Sequence, residues 1–295
     1  MKLRLFALVA ALVLCCAGNS RAAETVKIGV LAKDGPAKAL QMWQETGVYL
    51  SGKLGGKTCE IVPLDFDKVL PAAKDGTVDF FITNSFQFVS TKNQFGATAV
   101  ATMINSREGK ALNSFGGVII TAAHNDAIKT LADLKGKKFM AVDKTSFGGW
   151  QMANKELLDN GIDSTKDLTL EFGGKHDNVV FAVQNEAVPA GTVRTDTLER
   201  MAAAGAISMD DFKIINKKNY PDFPFVCSTK LYPEWPLAKT AKTSDALAAE
   251  VVAALKGMKA EDKAAKDAKI VGWSDPQNYG VVDDLQKALK VSDLK

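Results

Sequence analysis

The sequence predicts an α/β protein made of two units, each a mostly parallel sheet flanked by helices. From Ala23 onward, short runs rich in β-branched and aromatic residues alternate with helical patterns, which is typical of strands joined by crossover helices. The 295 residues are 46% hydrophobic and 24% charged, which is ordinary for a globular chain long enough to form two cores. The alternation restarts after residue 121, which predicts a second unit inserted into the first.

The first unit begins with a βαβαβ pattern. Its predicted strands are 26–31, 58–64 and 78–83. Its predicted helices are 36–54, 68–75 and one that starts at residue 86. The long Ala/Lys helix predicted at 244–259 lies near the end of the chain, where the sequence is expected to return to this unit.

The second unit repeats the alternation over about a hundred residues. Its predicted strands are 115–121, 138–142, 168–172, 190–193 and 212–215, and its predicted helices are 128–134, 148–160, 178–185 and 197–204. These assignments predict one lobe from residues 23–118 and 216–295, and a second lobe from residues 119–215.

Residues 1–22 have the pattern of a cleaved signal peptide. Lys2 and Arg4 precede an apolar run at 5–17, and Ser20-Arg21-Ala22 provides a small-x-small cleavage site. The alternative is a membrane anchor, but the apolar run is shorter than the roughly 20 residues that a spanning helix needs. We therefore expect export to the periplasm, with the mature chain beginning at Ala23.

Charge excludes nucleic acid as a favoured partner. The chain has 37 Lys and Arg against 34 Asp and Glu, and residues 1–22 contain three of those basic residues and no acid. The mature chain is therefore electrically balanced, whereas nucleic-acid binding depends on neutralising phosphates.

Cys59 and Cys227 are the cysteines outside the leader. An oxidising compartment permits a disulfide if their α-carbons lie within about 7 Å, and the alternative is two thiols packed as small apolar groups. The sequence leaves both open.

Signatures of catalysis, of metal binding and of cofactor binding are scarce. The chain has no GxGxxG, GxxxxGK[ST], GxSxG or HExxH motif and contains 2 His, so we expect no enzyme activity, metal or cofactor. A Ser146, His176 and Asp177 triad is disfavoured because Asp177 adjoins His176 and nothing brings Ser146 to them.

Four polar turns each follow a predicted strand and begin a helix. They are Thr83-Asn84-Ser85, Lys144-Thr145-Ser146, Lys175-His176-Asp177 and Arg194-Thr195-Asp196. Helix N-termini carry unpaired N–H groups and partial positive charge, and the C-terminal strand edges of open α/β sheets face a crevice. Each turn alone is ordinary capping, but four in series predict a shared site for a small oxyanion.

Arg194 and His176 are the sharpest candidates within these turns. Arg194 ends a buried strand and needs an anionic partner, either a ligand oxyanion or a structural carboxylate such as Glu171. We favour the ligand, which predicts that Arg194→Ala weakens binding by about 1.5–3 kcal/mol and leaves folding intact. His176 either caps its own helix or faces the ligand, and the glycines after Phe147 either admit a ligand or tighten a turn.

Several ordered segments resemble a known family. They are IGVLAKDG at 28–35, PLDFDKVLPAAKDGTVDFFITN at 63–84, FGGVIIT at 115–121, AVDKTSFGGWQMANKELLDNGID at 141–163, HDNVVFAVQNEAVPAGTVRTDTLERMAAAGAI at 176–207, STKLYPEWPLA at 228–238 and GWSDPQNYGVVDDL at 272–285. The chain resembles the periplasmic substrate-binding proteins of phosphate, phosphite and phosphonate importers. Its pattern is most similar to the periplasmic sensing domain of tetrathionate sensor kinases.

The resemblance implies a type II periplasmic binding protein whose two lobes close on a ligand around two crossover segments. The implied ligand-binding residues are Thr83, Asn84, Ser85, Thr145, Ser146, Phe147, His176, Arg194 and Thr195. Arg194 stands where acids would meet the amine of an aminoalkylphosphonate, and Phe147 stands where phosphonate binders continue with a hydroxyl. Both departures weaken a simple phosphate or aminoalkylphosphonate assignment and leave a sulfur oxyanion or a carboxylated ligand open.

The resemblance supports one leading function and two alternatives. The leading one is a monomeric periplasmic protein that captures a small phosphorus or sulfur oxyanion and delivers it to an ABC permease. The first alternative is a free-standing sensing subunit that reports the same ligand to a histidine kinase, and the second is a periplasmic enzyme.

Overall fold

The computed structural model describes residues 24–107 and 109–292, which form two α/β halves, each built on its own sheet. The strands are β1 Thr25–Leu31, β2 Thr58–Leu64, β3 Phe80–Ile82, β4 Thr98–Arg107, β5 Lys110–Leu112, β6 Ser114–Phe115, β7 Gly117–Ala122, β8 Lys137–Ala141, β9 Leu168–Phe172, β10 Ala190–Arg194, β11 Phe212–Ile215, β12 Tyr232–Pro233, β13 Pro236–Lys239 and β14 Ile270–Ser274. The α-helices are α1 Pro36–Ser51, α2 Val69–Asp75, α3 Ser85–Phe95, α4 Met152–Asp159, α5 Ser164–Asp167, α6 His176–Gln184, α7 Thr197–Ala203, α8 Asp245–Lys256, α9 Lys263–Ala268 and α10 Gly280–Leu289. The predicted leader lies outside the described residues.

The first sheet has the order β14-β4-β13-β3-β1-β2, with β5 paired to β4. Its β2-β1-β3 part is parallel, as the βαβαβ pattern predicts. The strands β13, β4 and β14 run antiparallel to their neighbours, so the sheet is mixed. The C-terminal part of the chain therefore returns to the first sheet and completes it.

The second sheet has the order β11-β7-β10-β8-β9. Strands β10, β8 and β9 are parallel, and β7 pairs antiparallel with β10 and β11. All its strands lie between residues 117 and 215, and the lobe boundaries given above stay a prediction.

The chain passes between the sheets twice, and the two crossings touch each other. One crossing leads from β5 to β7, and the other leads from β11 to β13. The short strands β6 and β12 pair antiparallel within these crossings, where Phe115 lies opposite Tyr232. The paired crossings form the hinge region on which the two halves meet.

Apolar side chains alternate across the strands and fill a core on each face of the second sheet. Ile119 packs in the core with Phe139 and Trp150, whereas its neighbour Ile120 packs on the other face with Val179. This is the period-2 pattern of a strand buried on both faces. A larger core lies in the first half.

Local structure differs from the sequence predictions in two helices and in several strands. Residues Phe147–Gln151 form a π-helix that leads into α4, and only Leu131–Leu134 of the segment 128–134 is helical, as a 3₁₀ turn. The strands β4, β13 and β14 and the helices α9 and α10 are present in addition to the predicted elements. No helix among residues 24–107 and 109–292 is long and apolar enough to span a membrane.

The predicted alternative of a disulfide is not formed. Cys59 is a half-buried free thiol on β2 of the first sheet, and Cys227 is a fully buried free thiol beside the hinge. The Cys227 Sγ lies 3.3 Å from the Thr229 carbonyl oxygen, and burial raises its pKa. Their placement in different halves keeps the two sulfurs apart.

Candidate functional site

A cavity lies between the two sheets at the hinge. Its lining residues come from both halves and from the crossings, namely Leu31, Lys33, Phe66, Asn84, Phe115, Ser146, Phe147, Gly148, His176, Arg194 and Trp235. Five residues selected from the sequence are therefore gathered at one place, although they come from four separate turns. Four other residues selected from the sequence do not line this cavity and make structural contacts behind its wall, namely Thr83, Ser85, Thr145 and Thr195.

Asn84 begins α3 and reaches across to the second half. Its Oδ1 accepts a hydrogen bond from the Gln87 N–H at 3.0 Å, which makes it the N-cap of the helix. Its Nδ2 donates to the Thr145 carbonyl oxygen at 3.3 Å. The neighbours of Asn84 are structural: Thr83 donates to the Gln87 side chain, and Ser85 donates to the Pro233 carbonyl in the hinge region.

Thr145 ties the turn after β8 to α3. Its Oγ1 donates to Asp143 Oδ1 at 2.8 Å and accepts from Gln87 Nε2 at 3.0 Å. The same Gln87 amide also donates to the Phe66 carbonyl at 2.7 Å. One glutamine therefore joins three segments beside the cavity.

Ser146 precedes the π-helix, and its hydroxyl makes no capping bond to that helix. The first N–H groups of a helix have no intrahelical acceptor, so the hydroxyl and the amides of Phe147 and Gly148 can serve an anion at the cavity. The Phe147 side chain is fully buried, and its ring packs against Phe86, Phe115 and Tyr232. Its ring therefore forms an apolar wall of the hinge.

Position 149 has room only for glycine, because side-chain atoms of the same turn occupy the space where a Cβ would lie. A Cβ there would lie 2.5 Å from Val142 Cγ2 and 2.7 Å from Ser146 Oγ. At Gly148, a Cβ would lie 3.1 Å from the Arg194 Cβ. Protein side chains occupy the space beside both glycines, which favours the tight-turn interpretation of this pair.

His176 is the first residue of α6 and has 3% of its surface exposed. Its Nδ1 accepts a hydrogen bond from the Arg194 N–H at 3.2 Å, so the ring proton of the neutral form is on Nε2. Burial, together with the positive charge of Lys33, lowers the pKa of His176 to about 3. The ring is therefore a neutral donor on the cavity wall.

Arg194 has a protein partner, and the partner differs from the one suggested by the sequence. Its two terminal nitrogens donate to the two carboxylate oxygens of Glu234, each at 3.1 Å, and its Nε lies 3.4 Å from Asp196 Oδ1. Its guanidinium carbon lies 4.1 Å from the centre of the Phe115 ring. Glu234 in the hinge region occupies the guanidinium fork, so the alternative of a structural carboxylate is the one observed, with Glu234 in place of Glu171, and a direct contact of Arg194 with a ligand stays a prediction.

The other sequence candidates near Arg194 also have structural partners. Glu171 pairs with Lys138 on the neighbouring strand and not with Arg194. Thr195 holds the first crossing, because its Oγ1 accepts from the Gly116 N–H at 3.1 Å and its N–H donates to the Gly116 carbonyl. Asp177 accepts a hydrogen bond from Arg200, so it is not the third member of a triad with His176.

Lys33 lines the cavity, and the sequence argument missed both it and its partner Asp34. They follow β1 in the segment LAKDG, and Lys33 Nζ lies 2.6 Å from Asp34 Oδ2. Burial acts to raise the pKa of Asp34, but Lys33 and the other cationic groups nearby outweigh it and hold the pKa well below its usual range. The sequence pattern used for the four turns could have identified them, because this turn also places polar residues directly after a strand.

The side chains of the cleft favour anion binding over metal binding. Among the residues that the structure describes, no group of three or more His, Cys, Asp or Glu side chains is arranged to hold a metal ion. The cavity instead combines a serine hydroxyl, the start of a helix, a neutral imidazole N–H and the ammonium group of Lys33. Such a set of donors suits an oxyanion.

Known proteins are similar to this chain in sequence and in fold. The sequence profile described as "ABC transporter, phosphonate, periplasmic substrate-binding protein" matches residues 28–279. The tetrathionate sensor histidine kinase TtrS of Salmonella typhimurium is 37% identical over 253 residues, which is 85% of this chain and 42% of the kinase. The chain thus aligns with less than half of that relative.

Two solved structures show the same two-lobed, type II fold. A binding protein component of a phosphonate ABC transporter from Pseudomonas aeruginosa has a TM-score of 0.74 at 16% identity, covering 92% of this chain and 88% of that one. PhnD1 of Prochlorococcus marinus in complex with methylphosphonate has a TM-score of 0.71 at 14% identity, covering 91% and 99%.

Proposed function

The chain belongs to the family of periplasmic substrate-binding proteins of phosphonate ABC transporters, and from this we propose that it captures a small oxyanion in the cleft between its sheets. The observation that carries the proposal is the shared cavity of Asn84, Ser146 and His176, which come from three turns far apart in sequence. The ligand class is a phosphonate-like, phosphite-like or sulfur oxyanion. The family consists of binding proteins, which supports a role without turnover.

In this proposal the donors at the cavity hold the anion without neutralising it completely. The Ser146 hydroxyl and the N–H groups of Phe147 and Gly148 donate to its oxygens, together with the Nε2–H of His176. Lys33, whose ammonium group also pairs with Asp34, reaches the cavity from the first half. Thr83, Ser85, Thr145 and Thr195 position these groups, and the Arg194 pair with Glu234 braces the hinge beside them.

Closure of the cleft would complete the site. The bonds from Asn84 and Gln87 to Thr145 join the two halves beside the cavity. Closing excludes water, which strengthens charge-assisted hydrogen bonds, and it changes the surface that a membrane partner meets. We propose that the partner is an ABC permease, that residues 1–22 direct export and are removed, and that the protein works as a monomer.

A second candidate function is ligand sensing for a histidine kinase. The 37% identity to the tetrathionate sensor kinase favours it, although the chain aligns with 42% of that protein. Capture for import and capture for sensing use the same pocket and differ in the membrane partner. Stimulation of a transporter's ATPase by the liganded protein supports import, and stimulation of kinase autophosphorylation supports sensing.

Calorimetry and thermal-shift measurements test the proposal. The panel is phosphate, phosphite, methylphosphonate, sulfate, thiosulfate, tetrathionate and small carboxylates, and a true ligand raises the melting temperature by mass action. Ser146→Ala should weaken binding of the best ligand about tenfold or more, because a hydrogen bond to a charged group is lost. Ser244→Ala is the matched control, since Ser244 also precedes a helix but lies outside the cleft. No binding across the panel, or equal affinity of Ser146→Ala and wild type, contradicts the proposal.

A further inference from the structure

A second cavity lies beside the candidate site, toward α1 and β4. The two cavities are neighbours, because four residues line both of them, namely Leu31, Lys33, Arg194 and Trp235. The second cavity also has an apolar lining, which includes Ala39, Met42, Trp43, Met103 and Ala268. An apolar space next to a site for an anion offers room for a substituent on that anion.

Three residues of this lining carry buried polar atoms that have no hydrogen-bond partner among residues 24–107 and 109–292. Two of the atoms are acceptors, Asp34 Oδ1 and Asn105 Oδ1, and two are donor groups, the Asn105 Nδ2 and the indole N–H of Trp235. Asn105 is 2% exposed and Trp235 is 6% exposed. Nearly all buried polar groups in folded proteins are paired, because an unpaired group loses its hydration without compensation. Their concentration in one cavity indicates a partner that the chain itself does not supply.

The unpartnered atoms reach the cavity from separate parts of the first half. Asn105 lies on β4 between Met103 and Arg107, which also line the cavity, as expected for alternate residues of one strand. Trp235 is held beside β4, because its carbonyl oxygen accepts a hydrogen bond from the Met103 N–H at 3.0 Å. Asp34 follows β1, which is separated from β4 by two strands of the sheet. The cavity, and not one local turn, is therefore what these atoms have in common.

The charged side chains around the second cavity are already compensated. Three of its cationic side chains are each held by a carboxylate, in the pairs Lys33–Asp34, Arg107–Asp196 and Arg194–Glu234. The other cationic side chain of the lining is Lys38, which is exposed at the start of α1. No buried charge of the lining therefore lacks an opposite charge, so the cavity does not call for a charged occupant.

The unpartnered atoms discriminate among three kinds of end group. An anionic group would serve the two donor groups, but it would leave Asp34 Oδ1 and Asn105 Oδ1 without a donor and would add a negative charge beside the Asp34 carboxylate. An ammonium group has donors only, so it would leave the Asn105 Nδ2 and the Trp235 indole unpaired. A primary carboxamide has two N–H donors and an oxygen with two lone pairs, which matches the two acceptors and two donor groups of the lining.

We propose that Asp34, Asn105 and Trp235 form a subsite for a neutral end group that both donates and accepts hydrogen bonds, with a primary carboxamide as the simplest example. The inference rests on the proposed function, because the anionic end of the same ligand would lie in the cavity of Ser146 and His176. A short methylene linker between the two ends would pack against the apolar lining. The protein would then select among oxyanions by the hydrogen-bonding groups of their substituent.

Calorimetry with matched ligands measures this selection. The test ligands are phosphonates and sulfonates that carry a primary carboxamide after one to three methylene groups. Each is compared with the carboxylate, the ammonium compound and the branched alkyl compound of the same length. The best carboxamide should bind at least about tenfold more tightly than each of its three comparison compounds, because it alone pairs both the donors and the acceptors of the lining. Methylphosphonate and methanesulfonate, which lack an end group, measure binding at the oxyanion site alone.

Variants locate the carboxamide preference in the subsite. Asn105→Leu removes a donor and an acceptor, and should bring the affinity ratio of the carboxamide to the alkyl compound to within about threefold of one. Trp235→Phe removes one donor and should lower the same ratio at least about threefold. Thr192→Val is the matched control and should keep the wild-type ratio, since Thr192 Oγ1 is also buried without a partner among the described residues but lines neither cavity.

The outcomes separate the two proposals. A carboxamide advantage that is lost in Asn105→Leu and kept in Thr192→Val supports the subsite, and Trp235→Phe decides by the same criterion if Asn105→Leu does not fold. Binding of simple oxyanions with no carboxamide advantage, or an advantage that persists in both Asn105→Leu and Trp235→Phe, overturns the subsite and leaves oxyanion capture intact. Absence of binding for every anion tested overturns both proposals.

Discussion

Replacing Arg194 or Glu234 should destabilise the whole protein. Glu234 is 0% exposed and accepts both terminal nitrogens of Arg194, so removal of either side chain leaves a buried charge without its main partner. Breaking a buried ion pair in this way costs about 3–5 kcal/mol. Arg194→Met also loses the contact with the Phe115 ring, which is worth about 1 kcal/mol.

A double-mutant cycle distinguishes this structural role from ligand binding. Glu234→Leu should fall at the lower end of the range, because Asp196 still lies beside the Arg194 Nε. The double variant Arg194→Met with Glu234→Leu removes both charges and should recover about 2 kcal/mol or more relative to the sum of the single changes. Asp196 keeps Arg107 as a partner in every variant.

Urea unfolding followed by circular dichroism and tryptophan fluorescence measures these free energies. An unfolding free energy of Arg194→Met within about 1 kcal/mol of the wild-type value would refute the structural role of the Arg194–Glu234 pair. Such a result, combined with weaker ligand binding, would restore the sequence-based expectation that Arg194 contacts the ligand and is dispensable for folding.

Two further predictions concern His176 and Gly149. Because burial lowers the pKa of His176 to about 3 from an ordinary 6.5, the unfolded chain takes up a proton below pH 6.5 that the folded chain excludes, and stability falls as the pH falls toward 3. Between pH 6.5 and 5, wild type should therefore lose about 2 kcal/mol of unfolding free energy more than His176→Gln does, and parallel pH profiles would argue against a buried neutral ring. Gly149→Ala should lower the unfolding free energy by about 1–3 kcal/mol, because its Cβ would lie 2.5 Å from Val142 Cγ2. Gly52→Ala, whose Cβ would have no neighbour closer than 3.5 Å, should change stability little, and equal effects at both positions would contradict the crowding argument.

Elements with strong local patterns were predictable from the sequence. The strands Thr58–Leu64, Leu168–Phe172 and Phe212–Ile215 agree with the predicted bounds, because apolar runs between turn residues are local signals. The strand Thr98–Arg107 was missed because its apolar residues alternate with small and polar ones. The strand Pro236–Lys239 is short and is stabilised by pairing with residues more than a hundred positions away.

The candidate site was predictable in part for the same reason. Polar turns after strands located Asn84, Ser146 and His176, since parallel strand ends meet at one edge of a sheet. The partner of Arg194 lies 40 positions along the chain at Glu234, and no local spacing joins the two residues. Asn105 also gave no signal, because a buried asparagine without a partner is recognised only when its surroundings are known.

The hydrogen bonds between the two halves of the protein affect the release of a bound ligand. Asn84 and Gln87 bond to Thr145 across the cleft, and Arg107 bonds to Asp196. Each of the two neutral hydrogen bonds is worth about 0.5–1.5 kcal/mol, and the bond between the charged Arg107 and Asp196 is worth about 1.5–3 kcal/mol. If the protein captures an oxyanion as proposed, release of the ligand requires these bonds to break, so the lifetime of the complex depends on them as well as on the contacts of the ligand. A membrane complex that competes for Thr145 or Asp196 would shorten that lifetime at the point of delivery.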